Sequence, residues 1–501
     1  MLDLQPATFD DFLREVRRGN VVPVVRSVLA DLQTPVGAFL RVAEGARYAF
    51  LLESIEGGER VARYCFSGAN PEMVVRGIGN DTLVERDGKW KMHKGVRATA
   101  FAREYFRERK LARRAGLAPL AGGAVGYLAY EAARWFEPVL EKVYGDNLDT
   151  DDAVWMFYRN VLAFDRVRQT IEITSIVLTE EAEGDTDRLR ELYERAIEET
   201  ARIEELLLRS ISQPAHRTEQ KEDRTSFESN WTRKEFEDAV RRGQEYIAAG
   251  DCYQVVLSQR FNKKSAADPV SIYRALRATN PSPYMYFFQL NEEAIIGASP
   301  EMLVRCRGQR LDYRPIAGTR RRGATEAEDW MLGEEMRTDE KEVAEHMMLV
   351  DLGRNDLGRV ADYGSVEVED LMIVERYSHV QHLVTSLRAR LRDGLDRFDA
   401  LASCFPAGTV TGAPKVRAME IIRELEPEPR GVYAGAIAYM DYAQNLDSCI
   451  AIRTMVMRNG RAFVQTGAGV VADSVPEREY EETISKARAL FRAIEMAEKG
   501  I

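Results

Sequence analysis

Two segments of the chain each carry a pair of glutamates three residues apart. Glu342 and Glu345 lie in DEKEVAEHMM, and Glu479 and Glu482 lie in PEREYEETISKA. If both segments are helices, each pair falls on one helix face, because residues i and i+3 are neighbours there. Mg²⁺ prefers oxygen ligands and often takes only one or two carboxylates from a protein. The spacing therefore predicts a magnesium site between two acidic helices, or two ordinary solvated helix faces.

Small residues recur in two segments that end predicted strands. Gly467 and Gly469, in QTGAGVVADS, can bring backbone N–H groups close to an anion, because glycine has no Cβ. FPAGTVTGAPK repeats the pattern with Gly408 and Thr409, followed by Lys415. These segments predict an anion-binding backbone or ordinary loops.

Basic side chains near these segments extend the pattern. Arg453 lies in the apolar run IAIRTMV, where it needs an anionic partner if it points inward and none if it faces solvent. Lys486 shares a helix face with Glu482, either in a site or in a simple ion pair. His379 and His382, in RYSHVQHLVTS, are acid–base candidates or satisfied core histidines. Together these residues indicate a site for a small polycarboxylate held by Mg²⁺, Arg, Lys and backbone N–H groups.

The segment YRPIAGTRRRGAT, residues 313–325, has the pattern of a strand, a glycine loop and a helix start. Gly318 and Gly323 have the spacing of a phosphate-binding P-loop. The Lys that such a loop requires after its second glycine is missing, so the P-loop interpretation is rejected. We expect the three arginines at 320–322 on a solvated loop or at a subunit contact.

Composition limits the possible functions. The 501 residues have a formal net charge of −11, which argues against general nucleic-acid binding. The five cysteines are scattered and form no C-x-x-C pair, which indicates a reducing cytoplasm and no zinc or disulfide framework. The first residues lack an apolar signal core, and no apolar run approaches the roughly 18 residues of a membrane span. We expect a cytoplasmic protein that binds neither nucleic acid nor membrane.

Strand-like and helix-like patterns follow each other without regular βαβ alternation, which favours an α+β fold. We expect an N-terminal domain at 1–210, a polar linker at 211–230 and a C-terminal domain at 231–501. Thr232 and Glu235 form a capping box that begins a helix ending near Gly250. Near the end of the chain, GVYAGAIAYMD, LDSCIAIRTMVMR and RAFVQTGAGVV are predicted to be consecutive antiparallel strands before a final helix.

Longer strings in the sequence match a known family. They are LLES (51–54), NPSPYMYF (280–287), GASPE (297–301), PIAGTR (315–320), DEKEVAEHMMLVDLGRNDLGRV (339–360), HLVT, PAGTVTGAPK, YAGAIAY, AIRT and TGAGVVADSVPEREYEET. The chain thereby resembles the chorismate-utilising enzymes, and among them the anthranilate synthase component I family. The strings run through nearly the whole second half, whereas the first half matches mainly through LLES and RYCFSG. The resemblance implies two interlocked domains, with antiparallel sheets packed in a sandwich, helices outside and the active site in a cleft.

The resemblance also implies roles for individual residues. The expected metal site has Glu345 and Glu482 as Mg²⁺ ligands, with Glu342 and Glu479 supporting through water. The positions expected to bind chorismate are Gly318, Thr319, Tyr433, Arg453, Gly467, Ala468, Gly469 and Lys486. The expected catalytic residues are Glu301, as the acid for the departing C4 hydroxyl, and His382 and Thr409 near the reacting ring.

In the implied reaction, ammonia adds at C2 of chorismate while the C4 hydroxyl leaves, and pyruvate is then eliminated to give anthranilate, the first committed step of tryptophan biosynthesis. Ala317 stands where related aminodeoxychorismate synthases keep a nucleophilic Lys. Gln254 stands where isochorismate and salicylate synthases keep a Lys that activates water. Both positions favour ammonia as the nucleophile. Aminodeoxychorismate synthase component I and a non-catalytic tryptophan-binding module are the alternatives.

Two further expectations concern partners. No cysteine lies in the Gly-x-Cys-x-Gly context of a glutamine amidotransferase, so the resemblance implies a separate glutaminase subunit in a heterotetramer, with free ammonia as the alternative donor. LLES and NPSPYM resemble the family's feedback site for tryptophan, an inhibitor, or form a buried strand–turn contact. The expected effector residues are Leu52, Glu53, Ser54, Pro283, Tyr284 and Met285.

Overall fold

Segments rich in β-branched and aromatic residues pair into two large antiparallel sheets in the computed structural model, which describes residues 4–55, 63–144, 150–211, 227–377 and 380–500. The first sheet contains β1 (Leu4–Gln5), β2 (Val21–Leu29), β3 (Tyr48–Glu53), β4 (Tyr64–Ala69), β10 (Asn160–Asp165), β11 (Thr170–Leu178), β12 (Glu228–Ser229), β13 (Gln254–Lys264), β14 (Tyr284–Leu290), β15 (Glu293–Ser299), β21 (Gly412–Ala413), β24 (Thr454–Arg458) and β25 (Arg461–Val470). The second contains β5 (Met73–Ile78), β6 (Asp81–Arg86), β7 (Lys89–His93), β8 (Gly123–Leu128), β9 (Ala153–Tyr158), β16 (Met302–Arg307), β17 (Arg310–Tyr313), β18 (Ile316–Arg321), β19 (Glu367–Arg376), β20 (Val380–Arg390), β22 (Ala436–Asp441) and β23 (Asn445–Ile450).

Helices cover the outer faces of the two sheets. They are α1 (Phe9–Val16), α2 (Pro35–Val42), α3 (Ala98–Arg107), α4 (Glu141–Tyr144), α5 (Thr186–Leu208), α6 (Arg233–Ala248), α7 (Pro269–Thr279), α8 (Glu326–Thr338), α9 (Glu340–Gly358), α10 (Arg397–Cys404), α11 (Lys415–Leu425) and α12 (Pro476–Glu498). The capping box predicted at Thr232 and Glu235 is formed at the start of α6. None of the described helices combines the length and apolar character needed to cross a membrane.

Strands from both halves of the sequence alternate in each sheet. The first sheet runs β1-β2-β11-β10-β4-β3-β14-β15-β24-β25-β13-β12, and β21 also pairs with β13. The second runs β18-β20-β17-β16-β23-β22-β8-β9-β5-β6-β7, and β19 also pairs with β20. Aromatic and aliphatic side chains from both sheets, such as Phe50 and Tyr127, share one buried cluster between them. The expected α+β fold of interlocked antiparallel sheets with helices outside is therefore confirmed.

The domain division at 211–230 stays a prediction. Residues 212–226 of the expected linker lie outside the described ranges. Strands from before and after this segment are hydrogen-bonded neighbours, as β3 and β14 are. Each sheet therefore depends on both parts of the chain for its hydrogen bonds.

The run of consecutive antiparallel strands expected near the end of the chain is divided between the sheets. Strands β22 and β23 form a hairpin in the second sheet, and β24 and β25 form one in the first. The chain crosses between the sheets at residues 451–453, where Arg453 has φ 50. Arg453 therefore lies at a corner between strands, where its side chain is not constrained to alternate across a sheet.

Candidate active site

Helices α9 and α12 bring the two glutamate pairs together. Burial raises the pKa of the Glu345 carboxyl, and the charges of Glu342 and Glu482 raise it further. Burial also raises the pKa of Glu479, with a smaller contribution from Glu482. Charges act on each other in this way only across short distances. The four carboxyls therefore belong to one cluster, while their roles as metal ligands stay a prediction.

Two basic side chains contact this carboxylate cluster. Arg320 Nη1 donates to Glu342 at 2.7 Å, and Lys486 Nζ lies 2.6 Å from a carboxylate oxygen of Glu482. No group of three or more His, Cys, Asp or Glu side chains in the described ranges is arranged to hold a metal ion. Mg²⁺ often needs only one or two carboxylate ligands from a protein, so the cluster is still compatible with this cation. A bound Mg²⁺ would also reduce the electrostatic repulsion between Glu345 and the neighbouring carboxylates.

The glycine-rich end of β25 presents backbone groups beside Lys486. Strand β25 pairs with β13 through Val470, but with β24 only as far as Val464. In the described residues, the stretch containing Gly467, Ala468 and Gly469 therefore has a strand partner on one edge only. Lys486 Nζ donates to the Gly467 carbonyl at 3.1 Å on the open edge. This edge can bind an anion with backbone N–H groups and a nearby ammonium.

Glu301 follows β15 and is 6% exposed. Burial raises the pKa of its carboxyl to about 8, while Thr409 and Lys486 lower it by smaller amounts. The Thr409 hydroxyl is buried and has no hydrogen-bond partner within hydrogen-bond geometry among the described residues. A carboxyl with this pKa is mostly protonated at neutral pH and can serve as a proton donor.

His382 lies on β20 opposite Thr319 of β18. Its Nδ1 is 2.9 Å from the carbonyl oxygen of Gly318 and 3.1 Å from the Thr319 hydroxyl. Because a carbonyl only accepts, Nδ1 carries the proton and Nε2 keeps its lone pair. Burial lowers the pKa of His382, and the charge of Arg453 acts in the same direction. The imidazole is therefore a neutral base at physiological pH. The neighbouring candidate His379 lies outside the described residues.

Arg453 and Tyr433 lie close to each other, and together with Glu301, His382, Lys486 and the edge at 467–469 they form the region that we call the cleft. Burial lowers the pKa of Arg453, and the nearby Tyr433 hydroxyl opposes the shift. No acidic side chain of the described residues pairs with this guanidinium, a condition that favours an anionic ligand. Burial raises the pKa of Tyr433 to about 12, so its hydroxyl stays protonated. A Cβ at position 467 would lie 2.8 Å from the Tyr433 hydroxyl oxygen, which explains the need for Gly467.

The expectation of a solvated loop at 320–322 is wrong for Arg320 and Arg321, which lie in a strand, while Arg322 follows that strand and pairs with an acidic side chain. The alternative of a subunit contact stays a prediction. Arg320 and Arg321 belong to β18, and Arg320 contacts both Glu342 and Asp339 of the α9 start. Arg322 forms two hydrogen bonds with Asp329 of α8. The acidic residues at the starts of the two following helices were the sequence signal for this pairing. The arginines fix α8 and α9 against the strand that carries Gly318.

Gln254, which differs from the Lys of isochorismate and salicylate synthases, adds a buried polar group near the candidate site. It begins β13 and is 6% exposed. Its Oε1 has no hydrogen-bond partner among the described residues. A Cβ at Gly469 would lie 2.5 Å from its Nε2, so the side chain borders the glycine-rich edge.

A second candidate site is a separate cavity of about 320 Å³. The expected effector residues all line it, namely Leu52, Glu53, Ser54, Pro283, Tyr284 and Met285. The two sequence pieces meet because β3 and β14 are neighbours, with Glu53 opposite Met285. Arg305 also lines the cavity and donates to Asp447 at 2.7 Å. Aromatic and charged side chains thus line the same cavity.

Glu53 and Ser54 differ in what they offer to a ligand in this cavity. The Glu53 carboxylate accepts hydrogen bonds from Tyr273 at 2.6 Å and Arg277 at 2.8 Å, both on α7. The Ser54 hydroxyl is buried with no hydrogen-bond partner among the described residues. A buried polar group without a partner is costly, so Ser54 is the better candidate for a direct ligand contact.

Comparisons with known proteins show the family to which the chain belongs. The family model described as chorismate binding enzyme matches residues 48–492. Anthranilate synthase component 1 of Aquifex aeolicus is 44% identical over 495 residues, covering 97% of this chain and 98% of the relative. The corresponding protein of Pseudomonas putida is 43% identical over 493 residues, covering 98% of this chain and 99% of the relative.

Solved structures give the same result. The crystal structure of anthranilate synthase component I from Streptococcus pneumoniae superposes with a TM-score of 0.73 at 34% identity, covering 92% of this chain and 98% of that chain. The menaquinone-specific isochorismate synthase of Escherichia coli, at 19% identity and a TM-score of 0.69 over 98% of this chain and 99% of that chain, shares the fold. The chain therefore belongs to the chorismate binding enzymes, and within them to the anthranilate synthase component 1 group.

Proposed function

We propose that the chain converts chorismate and ammonia to anthranilate, pyruvate and water. The observation that carries this proposal is the buried Glu301 carboxyl, whose pKa is raised to about 8 in a cleft that also holds Arg453 and Lys486. A proton donor beside cationic groups suits the departure of a hydroxyl from a substrate with two carboxylates.

In the first step, the nitrogen lone pair of ammonia forms a bond to C2, both ring double bonds shift by one position, and the C4–O bond breaks. The new ammonium group then releases one proton. Glu301 gives its proton to the leaving oxygen, which departs as water. Arg453, the Tyr433 hydroxyl and the edge at Gly467 hold the enolpyruvyl carboxylate. Holding both ends of the substrate fixes C4 near the Glu301 carboxyl.

In the second step, the C2 proton is removed, the ring becomes aromatic, and the bond from C3 to the enolpyruvyl oxygen breaks. The released enolpyruvate takes up a proton and becomes pyruvate. His382 is suited to accept the C2 proton, because its Nδ1 is engaged by Gly318 and its Nε2 is free to act as the base.

We propose Mg²⁺ as the cofactor, held by Glu345 and Glu482 with Glu342 and Glu479 in support. When bound, it would neutralise the ring carboxylate of chorismate and draw electron density away from C2. The protein contributes clustered carboxylates, and burial together with the charges of Glu342 and Glu482 raises the pKa of Glu345. Arg320 and Lys486 balance part of this negative charge in the structure.

Ammonia, rather than water or a lysine, is the proposed nucleophile. Ala317 lies on β18 beside Gly318, so no amine is present at that position. Gln254 cannot deprotonate water, because a side-chain amide is not a base. These two side chains support amination over the reactions of the sister enzymes.

We propose that a separate glutamine amidotransferase subunit supplies the ammonia. All five cysteines are buried. Burial raises the pKa of Cys65 to about 11 and that of Cys404 to about 12. A glutaminase nucleophile needs an accessible thiolate of low pKa, which these thiols do not provide. The wording component 1 in the relatives' names agrees with a partner component, and reduced buried thiols suit the cytoplasm that we propose as its location.

We further propose that tryptophan binds the 320 Å³ cavity as a feedback inhibitor. Tyr284 and Pro283 would flank the indole, and the Ser54 hydroxyl would bond a polar group of the amino acid. The support is the lining by all six expected residues and the unpartnered Ser54 hydroxyl.

The test of the proposed activity uses the purified chain with chorismate and Mg²⁺. With an ammonium salt, we expect fluorescent anthranilate to form, and with glutamine alone we expect none. Formation of aminodeoxychorismate would instead support the sister activity. Absence of any chorismate consumption would refute the catalytic proposal and favour a binding module.

A further inference from the structure

A buried ion pair between Arg430 and Glu426 lies beneath the cleft. The two residues are 3% and 5% exposed. Arg430 Nε donates to one carboxylate oxygen at 2.9 Å, and Nη2 donates to the other at 2.6 Å. Replacing a buried ion pair with apolar residues of similar volume is often neutral or stabilising. A contribution to folding stability therefore does not by itself explain why the protein has a buried ion pair at this place.

The same guanidinium binds the backbone of two segments that line the cleft. Nη1 donates to the Val410 carbonyl at 2.7 Å, and Nη2 donates to the Val256 carbonyl at 2.7 Å. Val410 directly follows Thr409, and Val256 lies opposite Gly469 in the pairing of β13 with β25. One side chain thus fixes the separation of two segments that carry candidate site residues.

Glu426 extends the contacts to the glycine-rich edge. It accepts hydrogen bonds from the Ser258 N–H at 2.8 Å and the Ser258 hydroxyl at 2.9 Å. Ser258 lies opposite Gly467, and its oxygen accepts from Gln465 at 2.9 Å. The carboxylate therefore holds the part of β13 that supports the open edge of β25.

Arg430 also contacts the segment that carries Tyr433. Its guanidinium carbon lies 5.7 Å from the centroid of the Tyr433 ring. The backbone N–H groups of Arg430 and Gly431 donate to the buried Glu131 carboxylate at 2.6 and 3.0 Å. In the segment 430–433, Glu131 therefore holds the backbone at one end and the Arg430 guanidinium contacts the Tyr433 ring at the other. These contacts limit the positions available to the Tyr433 hydroxyl.

We propose that Arg430 and Glu426 form a positioning pair that sets the relative placement of Thr409, Tyr433 and the edge at 467–469 without touching the substrate. The planar, branched guanidinium can serve a carboxylate and two carbonyls at once, whereas a lysine ammonium cannot match this geometry. This inference rests on the proposed function of the cleft.

The test compares Arg430→Lys with Arg397→Lys. Arg397 is 1% exposed and donates to the carbonyls of Asp441 and Asn445, neither of which is a candidate site residue. We expect Arg430→Lys to raise KM for chorismate and lower kcat/KM by about 10²-fold, since a displacement of about 1 Å has that effect on a positioned substrate. Arg397→Lys should keep the wild-type kcat/KM at a temperature where circular dichroism shows both variants folded.

Glu426→Gln provides a second variant that keeps the volume of the side chain, and the same rise in KM is expected. Tryptophan affinity should be unchanged in both cleft variants, because its cavity is separate. Equal losses in Arg430→Lys and Arg397→Lys would overturn the inference. A crystal structure of Arg430→Lys with the Tyr433 hydroxyl and Gly467 in their wild-type positions would overturn it independently of turnover, whereas an inactive wild type would count against the proposed function instead.

Discussion

At the scale of single residues, burial decides what Glu301 can do. Its carboxyl has the raised pKa of a proton donor because few polar groups compensate for the lost water. Ser54 is a second residue whose environment determines its role, because its hydroxyl is buried without a partner in the described structure. Each gives a prediction about one side chain.

Glu301→Gln should lower kcat by about 10²–10⁴-fold, the usual contribution of a general acid. At a constant concentration of free ammonia, the wild-type activity should fall as pH rises through about 8, because the protonated carboxyl is the active form. Steady-state kinetics from pH 6 to 9.5 would measure both effects. Glu172→Gln is the matched control, since Glu172 is also a buried carboxyl with a raised pKa but lies outside the cleft. Comparable losses in the two variants would argue against the acid role.

The same carboxyl should make stability depend on pH. Its folded-state pKa of about 8 exceeds the ordinary value of 4.5, so the folded state binds more protons between these limits. The stabilisation is complete below pH 4.5 and is lost as pH rises through about 8. Chemical denaturation at pH 6 and pH 9 should therefore show a smaller decline in unfolding free energy for Glu301→Gln than for wild type. An equal decline would contradict the raised pKa.

Ser54→Ala should weaken tryptophan binding and relieve inhibition without reducing uninhibited activity. One lost hydrogen bond corresponds to about 0.5–1.5 kcal/mol, or roughly 2–13-fold in affinity. Ser67→Ala is a suitable control, because its hydroxyl is also buried and unpartnered in the described structure but does not line the cavity. Isothermal titration with tryptophan gives the affinity, and an unchanged value for Ser54→Ala would exclude the direct contact.

At the scale of elements, the carboxylate cluster exists only because α9 and α12 approach each other. Each helix alone shows a common Glu-x-x-Glu spacing. The charge of Glu482 contributes to the raised pKa of Glu345, so the two helix faces lie near each other. The arginines of β18 add to this arrangement by holding the start of α9 through Glu342 and Asp339.

Glu482→Gln should weaken Mg²⁺ binding by at least about 10-fold, since a neutral amide is a poorer ligand for a hard cation than a carboxylate. Glu481→Gln should have no such effect, because that side chain is 52% exposed and pairs with Arg233. Competition of Mg²⁺ with Mn²⁺, followed by electron paramagnetic resonance, would report affinity without relying on turnover. Equal affinities for the two variants would remove Glu482 from the metal site.

At the scale of the whole molecule, the interlocked sheets link the two sites. The cavity is lined by β3 from early in the chain and by β14 and β16 from later parts. The buried carboxylate of Glu131, which also comes early in the sequence, holds the backbone at Arg430 beside the cleft. The cavity is therefore built from both halves of the chain, whereas the candidate residues of the cleft all come from the second half and receive support from Glu131 of the first.

Tryptophan should therefore stabilise the molecule as a whole. At a concentration of 100 Kd, a ligand that binds only the folded state adds about 2.7 kcal/mol to the unfolding free energy. Because strands of both halves share each sheet, we expect a single thermal transition that moves upward with tryptophan. Differential scanning calorimetry would measure the shift. Two transitions, of which only one moved, would contradict a fold that unfolds as one unit.

The sequence by itself determined the local elements, the fold class and the residue types of the active cleft. The capping box at Thr232 and the helix that it begins, which ends near Gly250, follow from local chemistry, and the structure has both. The placement of Glu301, His382 and Arg453 around one cleft was reached through resemblance to a family, because no spacing rule connects residues so far apart in the chain.

Only the tertiary structure decided which surfaces and partners these side chains meet. It divided the last four strands between two sheets at Arg453, gave Glu53 its partners on α7, and placed the arginines of β18 against acidic helices. It also revealed the Arg430–Glu426 pair beneath the cleft. The physical reason is that desolvation and charge interactions depend on distances in space, and residues far apart in sequence set those distances here.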